Sequence, residues 1–300
     1  MSIQVASAPV SWGIMEEVPV PPEYPYSRVL DEIAGAGYTG TELGPYGYLP
    51  SQPRQLQQEL QKRRLGLCSA FVAMHLGDRS RHEAGYEQVA LTGELISQLG
   101  AKILVLSDEI TPERSAVAGR REEANRLSWN DAQWQEAQRA IERVIALCRE
   151  RRLAVSFHHH VGSHVETPEE VARLLDTITN PALGLCLDTG HYAYGGGDPV
   201  EVVEKYGSRI TCLHLKDVNP QRLREARERK LNFHDAVRHG VFAPVGQGSI
   251  NFARILELLK AHGFHGWAVV EQDVLSGGHG AGDPLTNATA GRNFLRTLGV

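Results

Sequence analysis

The feature that most constrains this chain is an alternation repeated along its whole length. Short apolar, β-branched runs at residues 3–8, 40–43, 65–72, 102–107, 153–158, 183–188, 210–216 and 267–272 are separated by stretches of helical character. Those stretches are residues 27–37, 52–64, 86–100, 129–151, 168–179, 199–206 and 250–262. Within 129–151, Trp134, Ala137, Ile141, Val144, Ile145 and Cys148 recur at steps of three and four, the spacing of one helix face. Glycines 37, 66, 100 and 263 stand where helices should stop, and Thr167-Pro168-Glu169-Glu170 reads as a capped helix start. Eight strands, each followed by a helix, in 300 residues is the count of a (β/α)8 barrel, an α/β fold in which residues 1–300 form a single domain. A doubly wound sheet usually has fewer strands and often a glycine-rich first turn. Here the first strand runs into Ala8-Pro9-Val10-Ser11-Trp12-Gly13, and neither GxGxxG nor a Walker sequence occurs.

Composition narrows the class of partner. With 31 Lys+Arg against 36 Asp+Glu the formal charge is −5, which weighs against a nucleic-acid protein relying on a bulk positive field. No apolar run approaches the roughly 20 residues of a membrane span, and the first residues lack a basic stretch followed by an apolar signal core. Cys68, Cys148, Cys186 and Cys212 are scattered without CxxC spacing, so buried reduced thiols and a cytoplasmic protein are expected. No oligomer interface is legible, and a homo-oligomer is allowed. Two inserts, 108–128 with RREEANR and 217–248 with RLREARERK, follow strands and so sit over the active-site end of a barrel as candidate lids. For the charge runs themselves a solvated helix face is the preferred reading.

In a barrel the chemistry belongs at the C-terminal ends of the strands. Polar residues crowd there: Glu42; Ser107 and Asp108; His158-His159-His160; Asp188-Thr189-Gly190-His191; His214-Leu215-Lys216-Asp217; and Glu271-Gln272-Asp273. Buried polar groups are costly unless paired or ligated, so packing alone does not account for this concentration. Asp188, His214 and Glu271 offer a carboxylate, an imidazole and a carboxylate from three consecutive strands, with His158 able to close a fourth side. Oxygen and nitrogen donors without thiolate suit a divalent metal, Mn²⁺, Co²⁺, Zn²⁺ or Mg²⁺. Alternation along the strand puts His158 and His160 on one face and His159 on the other, a structural position. His75 reads as a loop histidine. Trp12, Tyr46, Tyr48 and Trp129 are candidates to stack on a substrate ring, though packing at the barrel rim is the plainer reading of each.

The segments HHHVGSHVETPEEVARLL, LGLCLDTGHYAYGGGDP, ITCLHLKDVN and GWAVVEQDV resemble the sugar isomerase/epimerase superfamily of divalent-metal barrels, which also contains endonuclease IV. Within it the chain most resembles the inosose dehydratases, through the early AP-x-x-W segment, the TELG-type second strand, HHH-x-G, LDTGH and HLKDV. The HHH-x-G motif is the most discriminating of these. The resemblance implies that Asp188, His214 and Glu271 bind metal, with His158 a possible fourth ligand. It also implies that Glu42, His160, His191, Lys216 and Gln272 surround a small polyol ketone. Catalytic roles then fall to Glu42, His160, His191 and Lys216, and substrate contacts to Trp12, His160, His191, Lys216 and Gln272. Many epimerases of the group have Glu as ligand and base where His158 stands here. The expected reaction is therefore metal-dependent loss of water from 2-keto-myo-inositol in inositol catabolism, with keto-sugar isomerisation or epimerisation as the alternative. The endonuclease branch needs a larger His/Asp/Glu set and a basic groove, so neither nucleic acid nor membrane is an expected partner.

Overall fold

The computed structural model describes residues 3–16, 23–275, 278 and 282–300. Its strands in chain order are β1 (Ile3–Ser7), β2 (Gly40–Thr41), β3 (Gly66–Leu67), β4 (Ser69–Met74), β5 (Ile103–Asp108), β6 (Ala154–His158), β7 (Leu183–Asp188), β8 (Ile210–Val218), β9 (Phe242–Ala243) and β10 (Gly266–Glu271). All but β9 pair in parallel, in the order β3-β2-β1-β10-β8-β7-β6-β5-β4. β3 and β4 are two pieces of the expected third strand, interrupted only at Cys68. The Cys68 amide still donates to the Thr41 carbonyl (3.0 Å) and the Leu43 amide to the Ser69 carbonyl (3.1 Å), so the ladder closes into a barrel. The wall at β2 leaves no room for a side chain at Gly40: a Cβ there would fall 2.6 Å from the Trp267 ring.

The helices are α1 (Tyr26–Ala36), α2 (Pro53–Arg63), α3 (His82–Gln98), α4 (Pro112–Ser115), α5 (Arg121–Arg126), α6 (Asp131–Glu150), α7 (Pro168–Thr177), α8 (Thr189–Tyr194), α9 (Pro199–Tyr206), α10 (Pro220–Glu228), α11 (Phe233–Arg238), α12 (Phe252–Ala261) and α13 (Pro284–Thr297). The apolar face read from α6 is buried as spaced, and Thr167 and Glu170 form a reciprocal capping box at the start of α7. All four cysteines are free and buried. No helix among the described residues is long and apolar enough to cross a membrane.

Both inserts fold over the C-terminal end. The first carries α4 and α5, the second α10, α11 and β9, and β9 pairs antiparallel with the end of β8. A separate apolar cluster beneath them includes Tyr194, Val218, Phe233, Val237 and Phe242. The second charge run is only partly a solvated face: Arg227 donates to the carbonyls of Gly119 (2.8 Å) and Tyr194 (2.9 Å), tying one insert to the other. Arg114, ahead of the first run, is fully buried. An arginine pays less for burial when its fork finds carbonyl and carboxylate partners, which a charge count cannot reveal.

Candidate functional site

The strand ends meet in a cavity of about 510 Å³ including its mouth, whose floor and walls include Glu42, His158, His160, His214, Lys216, Glu271 and Asp273. Pro9, Val10, Ile14 and Phe71 give it an apolar side. Strand alternation explains the convergence: Asp188 lies opposite His214 across β7–β8, and Lys216 opposite Glu271 across β8–β10. A register shift on β8 helps. Leu185 pairs with Ile210 but Cys186 with Cys212, so Thr211 is an extra residue that moves His214 level with Asp188. Gly184 makes this possible, since a Cβ there would fall 1.9 Å from Thr211 Oγ1.

Around His214 the donors are close. Its Nδ1 is 3.3 Å from Glu271 Oε2 and 3.9 Å from Asp188 Oδ2, while His158 Nε2 lies 3.5 Å from the same Asp188 oxygen. On the other edge of the ring, Nε2 is 3.3 Å from Glu42 Oε1, which also accepts from Ser69 Oγ at 2.6 Å. Asp188 Oδ2 and His214 Nδ1 are buried and held by ion-pair contacts rather than well-formed hydrogen bonds, and His158 Nδ1 is buried without a hydrogen-bond partner. Buried donors and acceptors left short of good hydrogen bonds at one place fit a site built to hold a cation. His158, Asp188 and His214 form one ligand-spaced group, and Glu42, His214 and Glu271 another. Burial alone would raise the Asp188 carboxyl, but Lys216, His191 and His158 hold it well below the usual carboxylate range. Burial works the same way on Glu271, and His214 and Lys216 again bring it below normal.

Lys216 is the second centre of the site. Its Nζ lies 2.7 Å from Asp273 Oδ1, 3.0 Å from Glu271 Oε2 and 3.1 Å from Asp188 Oδ2, with the Phe242 ring centroid 5.2 Å away. Burial disfavours its charge, yet the three carboxylates push its pKa well above the ordinary lysine value, so it stays an ammonium. Asp273 also faces His191, 3.4 Å from Nε2, and the His191 and His160 rings lie 3.8 Å apart. Burial lowers the pKa of His160, with Lys216 adding to the shift against the pull of Asp273. Burial, then His160 and Lys216, depresses His191 further. Both imidazoles are therefore neutral near pH 7.

The structure brings together most of the residues expected from sequence, but not all. Glu42, His158, His160, His214, Lys216 and Glu271 line the cavity, and Asp188 and His191 lie immediately beneath its surface. His159 points away, as alternation requires, and its Nε2 accepts from the Asp188 amide at 3.3 Å. Trp12 is corrected: its ring is in the main core and its Nε1 donates to Glu32 at 2.6 Å, because the 3-10 turn after β1 (Pro9–Trp12) rolls the side chain behind the wall. Gln272 is corrected too. It follows inward-facing Glu271, so its side chain faces outward, donating to the Phe242 carbonyl (3.3 Å) and accepting from Asn287 (3.0 Å). His75 and Trp129 line a neighbouring cavity with Asp108 and His164. Asp273 and Phe71 were given no role from sequence. Two-residue alternation from Glu271 was the signal that could have found Asp273.

The profile of the xylose isomerase-like TIM barrel family matches residues 30–298. The chain belongs to that family. It is 35% identical over 298 residues to the rhizopine catabolism protein MocC of Rhizobium meliloti, covering 99% of this chain and 89% of the relative. It is 32% identical over 277 residues to the inosose dehydratase of Geobacillus kaustophilus, covering 90% and 87%. Among solved structures, the IOLI protein with a binding zinc atom superposes with a TM-score of 0.68 at 15% identity over 96% of each chain, a likeness of fold.

Proposed function

We propose that the protein is a lyase, a metal-dependent dehydratase that removes water from 2-keto-myo-inositol or a close polyol ketone in inositol catabolism. The observation that carries the reading is the charged Lys216 fixed among Asp188, Glu271 and Asp273 on a cavity wall shared with His160, which packs against His191 just beneath. The near-full-length likeness to an inosose dehydratase supports the substrate class. Asp188, His214 and Glu271, with His158 as a fourth donor, would hold a divalent ion, Mn²⁺ or Co²⁺ in preference to Zn²⁺ or Mg²⁺. Such an ion supplies Lewis acidity toward the ketone oxygen.

The chain's own groups do the rest. His160, neutral and lining the cavity, takes the acidic proton next to the carbonyl. His191 packs against it and is held by Asp273, which keeps the imidazole pair in place. Lys216 offers a fixed positive charge and N–H donors to the negative oxygen that develops. The proton on His160 then goes to the departing hydroxyl, so water leaves and the protein regains its starting charge. Glu42 accepts a substrate hydroxyl, while Phe71, Val10 and Ile14 face the apolar side of the ring. A keto-sugar isomerase or epimerase would share the enolate and return the proton to carbon. His158 standing where a second glutamate base belongs argues against it. The four free, buried thiols support a cytoplasmic protein.

The test is turnover of 2-keto-myo-inositol by metal-stripped protein resupplied with Mn²⁺ or Co²⁺. The expected result is activity restored by the ion and lost in Glu271→Gln. Equal turnover with and without metal, or an active Glu271→Gln, would sink the ligand assignment.

A further inference from the structure

One layer beneath Asp188 and His214, the barrel interior holds two thiols where branched aliphatics usually fill a barrel of this kind. Cys186 and Cys212 lie directly opposite one another on β7 and β8, both fully buried and free, in a small cluster with Val105. The register shift at Thr211 creates this pairing. Without the extra residue Cys186 would face Thr211, and the two sulfurs would be out of step. A ring nitrogen of His214 completes the group, with all three ligand atoms within 4.8 Å of one another. The His214 ring is buried, with Nδ1 toward Glu271 (3.3 Å) and Nε2 toward Glu42 (3.3 Å).

We infer that Cys186, Cys212 and His214 form a second metal site, selective for thiophilic cations such as Cd²⁺ or Zn²⁺, which binds in competition with the oxygen-rich set above it. Metal–sulfur bonds of about 2.3 Å and metal–nitrogen bonds of about 2.0 Å place tetrahedral ligand atoms under 4 Å apart, within reach of this group after small side-chain rotations. Two thiolates and an imidazole are a soft donor set, whereas Asp188, Glu271 and His158 are a hard to borderline one. His214 lines the cavity and belongs to both, so it gives a cation entering from the cavity its route downward. Binding releases the two thiol protons. A thiophilic ion seated here withdraws His214 from the upper set, so the pair of sites discriminates between metals by softness. Competition between the sites rests on the upper ligand set proposed above, whereas the thiolate site does not.

The experiment titrates metal-free full-length protein with Cd²⁺ and follows the thiolate-to-cadmium charge-transfer absorption in the ultraviolet. The expected result is a band saturating at one equivalent, abolished in Cys186→Ser/Cys212→Ser and retained in Asp188→Asn. A ¹¹³Cd resonance of the unaltered protein in the range of mixed sulfur and nitrogen ligation reads the same site without any substitution. Absence of the band at one equivalent overturns the inference, as does a band undiminished in the double variant or a resonance typical of oxygen ligation. Thiolate ligation in a protein that binds no Mn²⁺ would uphold this site while refuting the upper one.

Discussion

Replacing Arg114 by methionine tests whether a buried ion pair between the first insert and α7 holds the loop after His160. The guanidinium is fully buried, and its Nη1 and Nη2 meet Glu170 Oε1 and Oε2 at 3.0 and 2.9 Å. Its Nε donates to the Ser163 carbonyl at 2.7 Å, and Nη1 also reaches the Ala124 carbonyl. Methionine fills similar length but strands a buried carboxylate and two carbonyls. Removing one partner of a buried pair costs about 3–5 kcal/mol, a large part of the roughly 5–15 kcal/mol that holds a domain folded. At an unfolding entropy of about 2.1 cal/mol/K per residue, that lowers Tm by about 5–8 °C for a chain of this size. The assay is urea unfolding followed by circular dichroism, with Arg114→Met/Glu170→Gln alongside. The double variant should recover part of the loss, because the stranded charge is gone while the residue that caps α7 remains amide-bearing. Ser163 lies three residues beyond His160, so the folded fraction of Arg114→Met should also show reduced kcat. A destabilisation below about 1 kcal/mol, with no recovery in the double variant, would refute this reasoning.

Asp273→Asn removes the charge that positions both Lys216 and His191. It should reduce kcat by about 10–100-fold with a smaller change in KM, checked by steady-state kinetics, and near-unaltered kcat would remove Asp273 from the machinery. Because burial holds His160 below the usual imidazole range, the base is already deprotonated at neutral pH. The profile of kcat/KM should thus be flat through pH 7 and fall only as pH drops below about 6.5, through the folded pKa; an acid limb centred above 7 contradicts the assignment. Trp12→Phe loses the hydrogen bond to Glu32 and should cost about 1 kcal/mol in urea unfolding while leaving KM unchanged. A several-fold rise in KM would instead restore Trp12 to the substrate pocket.

The barrel was legible because two periodicities alternate, and each strand end was legible because polar residues there have no packing rationale. Alternation correctly separated His158 and His160 from His159. The same alternation turns Gln272 outward and Asp273 inward, against the substrate contact that the resemblance implies for Gln272. Trp12 was misplaced because a 3-10 turn after β1 breaks the two-residue alternation, and nothing in the residue types announces that turn's direction. Arg227 lies inside a charge run that reads as solvated, and Arg114 lies just before the other. Their burial depends on carbonyls brought from distant loops, a tertiary fact with no local signature. The pairing of Cys186 with Cys212 was equally hidden, since it depends on one extra residue in β8.

Loss of water separates a dehydratase from an isomerase, and product mass reads it without further inference. The metal-loaded protein is given 2-keto-myo-inositol and the product is weighed by mass spectrometry. A product lighter by one water is the predicted result. Conversion to a species of unchanged mass would make the protein an isomerase or epimerase and contradict the account.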